Sequence, residues 1–166
     1  MNKKEKNVQV NLKNERKLSV KILECSSRGD KRFSAFYANV NIKNRVNSIE
    51  YWYQNAKRTE DDKVPGKGRK VAYFINPFTF HRLPASELTN YYYTLWIRYF
   101  TQNPELLEYA KGFDTFTDMF RGKCINCQAD VIAECVKDFE AVKEKIKTTA
   151  FYADCLKRNT VTGVNK

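Results

Sequence analysis

The fold of this chain is decided by residues 48–57, which read SIEYWYQNAK. Asn47, just before them, is a residue type that caps helices, and Glu50 three positions later completes a capping-box pattern. We therefore predict a helix that begins after Asn47 and continues past Lys57. On that helix Glu50, Gln54 and Lys57 are spaced at i, i+4 and i+7, so they share one face.

This row of side chains has two interpretations. A carboxylate, an amide and an ammonium in line can activate a water, hold a polar edge and neutralise a phosphate, which suits the cleavage of a glycosidic bond. Alternatively, Glu50 only completes the helix cap, while Gln54 and Lys57 form a solvated face. Spacing alone favours the second, purely structural interpretation.

Before this helix, alternating or β-branched residues predict extended structure. The predicted extended segments lie at residues 8–12, 18–25 and 33–42. A turn rich in serine and glycine is expected at 26–30, between the second and third of them. The first two segments are short enough to pair as a hairpin.

Beyond it, apolar periodicity and capping residues predict further helices. These helices are expected from Ser86 to Gln102, from Pro104, from Asn126 along one apolar stripe to Ile146, and at residues 150–156. The polar stretch 60–70 is predicted to be a flexible loop, and residues 113–120 an irregular aromatic segment.

These elements predict a mainly α fold of the α+β class. We expect a single compact helical domain with a small N-terminal β portion, because 166 residues fit one domain of ordinary size. The domain is expected to span residues 8–158. A disordered basic tail is expected at 1–7, and a polar C-terminal tail at 159–166.

Composition excludes several classes of protein. Hydrophobic residues make up 42% of the chain, which excludes a disordered polar chain. No run approaches the ~18 apolar residues of a membrane helix, and no apolar signal segment follows the charged N-terminus. We expect a cytoplasmic protein with no membrane contact. The net charge of +11 attracts phosphate-bearing ligands, but charge alone does not choose among nucleic acid, nucleotide and neither.

Cysteine usage predicts reduced thiols, because five is an odd number in a chain long enough to build a core without disulfides. They are Cys25, Cys124, Cys127, Cys135 and Cys155. Cys124 and Cys127 form a lone C-x-x-C, which is compatible with redox chemistry or half a zinc site. Because the spacings match no common zinc module, we predict no metal and no cofactor.

Several short motifs occur in a defined order. Phe33-Ser34-x-Phe36 precedes Glu50-x-x-x-Gln54-x-x-Lys57. The motifs that follow are Phe100-x-Gln102-x-x-Glu105-Leu106, Phe116-Thr117-Asp118 and Asn126-Cys127-Gln128-Ala129. The set resembles the NADAR family, whose members carry F-S-x-F, E-x-x-x-Q-x-x-K, F-x-Q-x-x-E-L, W-G-D and G-x-N-x-x-G in this order. The resemblance covers about residues 33–136 and implies a NADAR-like domain.

The resemblance implies a catalytic role for Glu50 and a polar role beside the ribose for Asp118. The substrate-binding residues that it implies are Phe33, Ser34, Phe36, Gln54, Lys57 and Asn126. Two structural alternatives stay open, since Asp118 also suits the cap of the turn before Met119 and Asn126 also suits a helix N-cap. The family's W-G-D tryptophan and glycine are replaced here by Phe116 and Thr117.

Two further groups of residues suit a nucleotide. Arg28 and Arg32 flank the turn before Phe33 and are candidate pyrophosphate ligands, because arginine binds phosphate through two hydrogen bonds. Aromatic residues at 51–53 and 91–93 suit stacking on a base, although most aromatics at helical spacing belong to the core.

The function implied by the resemblance is an N-glycosidase. Its expected substrate is ADP-ribose-like or an ADP-ribosylated guanine, as a nucleotide or in a nucleic acid, so that it reverses ADP-ribosylation. The alternative is a non-catalytic nucleotide- or nucleic-acid-binding module with the same fold, favoured by the departures at Phe116, Thr117 and Ala129. A basic nucleic-acid-binding protein of unrelated fold is a third hypothesis. No obligate protein partner is evident.

Overall fold

The computed structural model describes residues 20–66, 68–119 and 127–147. The predicted strand at 8–12, both predicted tails, Asn126 and the helix at 150–156 lie outside these residues. Within the described segments 46% of residues are helical and 18% are in strands. The prediction of a mainly helical α+β chain is therefore confirmed at that level.

The described elements alternate along the chain. The strands are β1 (Ile22–Glu24), β2 (Asn39–Ile42), β3 (Arg45–Ser48), β4 (Lys57–Arg58), β5 (Tyr73–Ile75), β6 (Arg82–Pro84) and β7 (Thr115–Thr117). The α-helices are α1 (Ile49–Ala56), α2 (Leu88–Gln102), α3 (Pro104–Ala110), α4 (Gln128–Lys137) and α5 (Phe139–Lys147). Short 3-10 helices occur at Lys31–Phe33 and Ala85–Glu87. None of the five α-helices combines the length and apolar character that crossing a bilayer demands.

Helix α2 forms the centre of the domain. It packs against α1, α3, α4 and α5 and against β2. Its side chains Tyr91, Leu95, Trp96 and Ile97 are fully buried, as expected of a helix that is apolar almost all round. Burying a side chain of this size stabilises a fold by roughly 1.5–3 kcal/mol. The predicted helix from Ser86 is confirmed, with a 3-10 turn before it.

Helix α1 begins one residue later than predicted. Asn47 does not cap it, because Asn47 pairs with Val40 in the antiparallel β2–β3 hairpin. The cap is Ser48, whose Oγ accepts a hydrogen bond from the backbone N–H of Tyr51 at 3.1 Å. Glu50 is therefore the second helical residue, and the predicted capping box is wrong.

The end of α1 also differs from the prediction. Lys57 has extended backbone angles, with φ −67° and ψ 145°. It pairs with Phe74 in the antiparallel β4–β5 ladder. Pairing with a distant strand thus ends the helix at Ala56 instead of allowing it to continue past Lys57.

The prediction that the strands lie in the N-terminal part of the chain is wrong, because strands occur as far along as β7. β1 pairs in parallel with β7, so Leu23 lies beside Phe116. Of the predicted strand at 18–25, the described residues contain the three-residue strand β1. Its partner β7 lies in the segment 113–120, which was predicted to be irregular. A third sheet has the order β4-β5-β6. The loop prediction for 60–70 agrees with the absence of helix and strand from its described part.

Two other predicted elements are interrupted. In the segment 33–42 only β2 is a strand, because the chain turns after Ser34, whose carbonyl oxygen accepts hydrogen bonds from the N–H groups of Tyr37 at 3.0 Å and Ala38 at 2.7 Å. The long helix predicted from Asn126 breaks at Asp138, whose backbone is extended and whose Oδ1 accepts from the Ala141 N–H at 3.0 Å. Its buried stripe nevertheless continues across the break through Val131, Cys135, Val142 and Ile146.

The turn at 26–30 supports a stability prediction. A Cβ added at Gly29 would overlap the carbonyl oxygen of Glu24, whereas one added at Gly66 would meet nothing within 4 Å. We expect Gly29→Ala to lower the free energy of unfolding by about 1–3 kcal/mol, because backbone would have to move. Gly66→Ala is the matched control and should stay within about 0.5 kcal/mol of the parent. Urea unfolding at neutral pH measures both, and equal effects would contradict the overlap at Gly29.

Candidate functional site

The backbone of Ala35 joins two helices. Its carbonyl oxygen accepts a hydrogen bond from the Glu50 N–H at 2.9 Å, in the first turn of α1. Its own N–H donates to Oε1 of Gln128 at 2.7 Å, and Gln128 is the first residue of α4. Gln128 is buried, at 5% exposure. The Phe33–Phe36 motif is therefore the turn that holds the start of α1 against the start of α4.

The three polar residues of α1 form a hydrogen-bonded row. Gln54 Nε2 donates to Glu50 Oε1 at 3.0 Å, and Lys57 Nζ donates to Gln54 Oε1 at 3.0 Å. Lys57 Nζ also lies 4.1 Å from the centre of the Tyr53 ring. The structure brings these residues together as the spacing predicted, although Lys57 reaches back from beyond the helix end. Gln54 thus orients the carboxylate and connects it to a positive charge.

Asp118 is held in place through its neighbours. Glu24 Oε2 accepts from Thr117 Oγ1 at 2.7 Å, and Glu24 Oε1 accepts from the Met119 N–H at 3.3 Å. The Cys127 thiol donates to Asp118 Oδ2 at 3.8 Å, from the residue that precedes α4. The Met119 N–H therefore has Glu24 as its partner. A capping role for Asp118 would use the N–H groups of residues 120 and 121, which lie outside the described residues.

Tyr92 lies on α2 and is buried, at 4% exposure. Burial raises the pKa of its hydroxyl, the Trp96 indole lowers that pKa, and the charges of Glu50 and Asp118 raise it. Both carboxylates are thus within electrostatic range of one buried hydroxyl. Although they are distant in sequence, Glu50 and Asp118 are also linked by contacts that run through Ala35 and Gln128 to Cys127.

One buried polar atom of this region, Ser34 Oγ, has no hydrogen-bond partner among the described residues. The Ser34 side chain is fully buried. Buried polar groups are paired in the great majority of cases, so such an exception asks for an explanation. Ser34 adjoins Ala35, the residue that joins the starts of α1 and α4. The exception therefore lies next to the site.

Other predicted ligand residues lie in different surroundings. Phe33 is fully buried and packs at 6.4 Å from Phe100, between ring centres, so it belongs to the core. Phe36 is 52% exposed. Gln54 is exposed and Lys57 is half-buried, and both belong to the row that includes Glu50. Ser34 precedes Ala35, which is bonded to the Glu50 N–H. Asn126 is not among the described residues.

The two predicted arginine ligands differ from each other. Arg32 is engaged by Asp30 through two hydrogen bonds, of 3.0 Å and 2.7 Å, which together lower the pKa of that carboxyl. Its guanidinium also lies 4.5 Å from the centre of the Tyr109 ring. A phosphate would have to displace Asp30 to bind Arg32 with the same geometry. Arg28 is exposed, and its role stays a prediction.

Sequence reasoning missed three residues of this site. Tyr92 was considered only as one of a run of aromatics, and nothing in the local pattern distinguishes it from Tyr91 or Tyr93. Glu24 and Gln128 carry no local signal either, because their partners are far away in the sequence. What selects these residues is contact between distant segments.

Metal ligation finds no support in the described residues, which contain no cluster of three or more His, Cys, Asp or Glu side chains able to hold an ion. Among the described residues, Cys25, Cys127 and Cys135 take part in no disulfide. Burial raises the pKa of Cys135 to about 12, so this thiol is an unreactive part of the core. Cys124, the other half of the C-x-x-C, lies outside the described residues.

The assembled site offers two carboxylates, an amide, an ammonium and a buried phenol. Such a set can bind a polar ligand, stabilise developing positive charge and accept a proton from water. No known protein-family model matches the chain, and no curated protein matches it. Function has to be inferred from the residues themselves.

Glu24 yields a prediction about pH. Burial by itself raises the pKa of its carboxyl, but hydrogen bonds from Ser26, Thr117 and Met119 outweigh burial, and the net pKa is lowered from 4.5. A lowered pKa stabilises the fold above the unfolded-state value, and this stabilisation disappears as the pH falls through the folded-state pKa. We expect Glu24→Gln to lower the midpoint temperature of thermal unfolding at pH 7. The difference in midpoint temperature between this variant and the parent should become smaller towards pH 3.

Thermal unfolding of both proteins across this pH range measures the effect. Glu105→Gln, at an exposed position of α3, serves as the control and should follow the parent at every pH. A gap that stays constant from pH 7 to pH 3 would show that the Glu24 charge is not what holds the segment around Asp118.

Proposed function

We propose that this chain is an N-glycosidase of the NADAR type. Its substrate is an ADP-ribose-like nucleotide or an ADP-ribosylated guanine, from which it releases the base or the ADP-ribose. The observation that carries the proposal is a set of contacts that links Glu50 to Asp118 across the fold. The Glu50 N–H is bonded to Ala35, Ala35 to Gln128 at the start of α4, and the preceding residue, Cys127, to Asp118.

The chemistry requires a carboxylate in two roles. Breaking the bond between the anomeric carbon and the base leaves an oxocarbenium-like sugar, and the bonding electrons depart with the base. Glu50 stabilises this positive charge and accepts a proton from the water that attacks the anomeric carbon. The departing base takes up a proton from solvent, and Glu50 releases to solvent the proton that it accepted from water. Asp118 accepts a hydrogen bond from a ribose hydroxyl and so orients the sugar.

Orientation of Glu50 is provided by the protein. Gln54 donates to one of its oxygens at 3.0 Å, and the backbone N–H of Glu50 is fixed on Ala35 at 2.9 Å. A carboxylate restrained on both sides keeps its attack geometry, and displacement by about 1 Å can reduce a rate a hundredfold. Catalysis therefore also depends on the residues that hold Glu50 in position.

Charge supports a phosphate-bearing substrate. Lys57 Nζ lies at the end of the α1 row, 3.0 Å from Gln54 Oε1. The net charge of +11 attracts anions over the whole surface. A pyrophosphate placed near Lys57 would leave the ribose on the side of Glu50, which is the order required for attack at the anomeric carbon.

Glu50→Gln tests the proposal directly. The change removes the general base while keeping the shape and the hydrogen bond from Gln54. We expect turnover to fall by about 10²- to 10⁴-fold with little loss of binding. Chromatographic release of ADP-ribose or free base, from ADP-ribosylated guanosine oligonucleotides and from free nucleotides, measures this.

Glu105→Gln is the matched control, because Glu105 is the second residue of α3 just as Glu50 is the second residue of α1. This variant should turn over like the parent. Absence of release by the parent, with tight binding by both the parent and Glu50→Gln, would instead establish the non-catalytic binding module. Equal release by the parent and Glu50→Gln would remove Glu50 from the mechanism.

A further inference from the structure

A cleft opens on another face of α1. Its volume is about 240 Å³, and its walls are formed mainly by Arg45, Tyr51, Asn55, Arg58, Pro77 and Phe80. Tyr51 comes one residue after Glu50, and Asn55 comes one residue after Gln54. One residue corresponds to a rotation of about 100° around a helix. The cleft is therefore separate from the site of Glu50 and Asp118.

Two hairpin tips build one end of this cleft. The tip of β2–β3 contains Lys43 and Asn44, with φ of 52° and 66°. The tip of β5–β6 contains Phe80, and Lys43 Nζ lies 4.0 Å from the centre of the Phe80 ring. The two loops thus meet through a cation and an aromatic face.

The β5–β6 loop is built to present Phe80. Asn76 is fully buried, and its Oδ1 accepts from the Phe78 N–H at 2.7 Å. The backbone carbonyl oxygen of Asn76 accepts a hydrogen bond from the Phe80 N–H at 2.8 Å. Phe80 has φ 63°, a left-handed conformation that is unfavourable for a bulky residue, yet its side chain is 68% exposed. Strain that yields no burial is typical of a position kept for binding.

A second aromatic ring faces the same cleft. Tyr51 is 40% exposed, and its ring stands edge-on to Trp52 at 5.8 Å between ring centres. Tyr51 belongs to a helix and Phe80 to a hairpin tip, so two independent elements place a flat apolar surface on one cleft. Exposed aromatic pairs of this kind stack on planar ligands.

The charge around the cleft is positive. Arg45, Arg58 and Lys43 lie on it or at its rim, and no acidic side chain is among its described lining residues. Asp62 interacts with Arg58, and this interaction contributes to the lowered pKa of Asp62. Arg45 makes no ion pair with any residue in the described ranges. The cleft therefore offers at least one cation for an anionic group.

We propose that this cleft binds one unstacked base and the adjoining phosphate of a single-stranded nucleic acid. The flat face of a base can stack on Tyr51 and Phe80, and the negative charge of a phosphate can pair with Arg45 and Lys43. The volume is below the roughly 300–1,000 Å³ of sites for larger ligands, which suits one base rather than a dinucleotide. The proposal goes beyond the proposed function and stands without that activity.

Fluorescence anisotropy with a labelled, unmodified single-stranded oligodeoxynucleotide of mixed sequence tests this. Phe80→Ala and Tyr51→Ala should each weaken binding about five- to hundredfold, since each removes a stacking face. Phe80→Tyr keeps the ring and should bind like the parent. Because both side chains are exposed, urea unfolding should show unchanged stability for all three variants.

Charge variants provide the matched comparison. Arg45→Gln should weaken binding and reduce the slope of log affinity against log salt by about 1. Lys147→Gln removes the same charge at the end of α5, where Lys147 pairs with Glu144, and should leave that slope unchanged. Equal slopes for the two variants would overturn the placement of the phosphate.

Three other outcomes would overturn the proposal: no binding by the parent protein, equal binding by Phe80→Ala and the parent, or equal affinity for GMP and the oligonucleotide. The last outcome would indicate a free nucleotide instead of a strand. The oligonucleotide carries no ADP-ribose, so failure of glycosidase activity leaves this assay unaffected. Glu50→Gln should bind it like the parent, because Glu50 lies on the other face of α1.

Discussion

Nine residues of α2 are buried, and this helix packs against all the other described α-helices. A helix enclosed in this way has little freedom to shift, because each movement would open a cavity on one side and create overlap on another. Polar contacts add direction to the packing. The Tyr91 hydroxyl donates to the Trp52 carbonyl oxygen at 2.8 Å, and Arg98 Nε donates to the Asn41 carbonyl oxygen at 3.0 Å. Both α1 and the β2–β3 hairpin take their positions from α2.

This arrangement gives α1 two faces of different composition. One carries Glu50 and Gln54, with Lys57 at the end of the row. On the other, Tyr51 lines the cleft that Phe80 also lines. The eight-residue helix is fixed at each end, by Ser48 at its start and by the β4–β5 pairing at its finish.

Several elements were predictable because their signals are local. The helix around residues 49–56, the helix that begins at Pro104 and the turn at 26–30 each follow from capping residues, apolar spacing or glycine. The errors occurred where a distant strand competes with a local preference. Asn47 has the side chain of a helix cap, but its pairing with Val40 keeps it in a strand. Lys57 continues a helical pattern, but Phe74 draws its backbone into a ladder.

By itself, the sequence determined that Glu50 and Gln54 share one face of α1, because this depends only on helical spacing. Lys57 completes the row from strand β4, where pairing with Phe74 places it. The sequence also determined the positive charge of the chain and the predominance of helix. Only the tertiary structure decided that Asp118 lies against Cys127 at the start of α4, since β1 must pair with β7 and Glu24 must hold Thr117 and Met119 before Asp118 is placed. The same holds for the meeting of Lys43 and Phe80. Contacts between distant segments depend on how the core packs as a whole, and no local pattern encodes them.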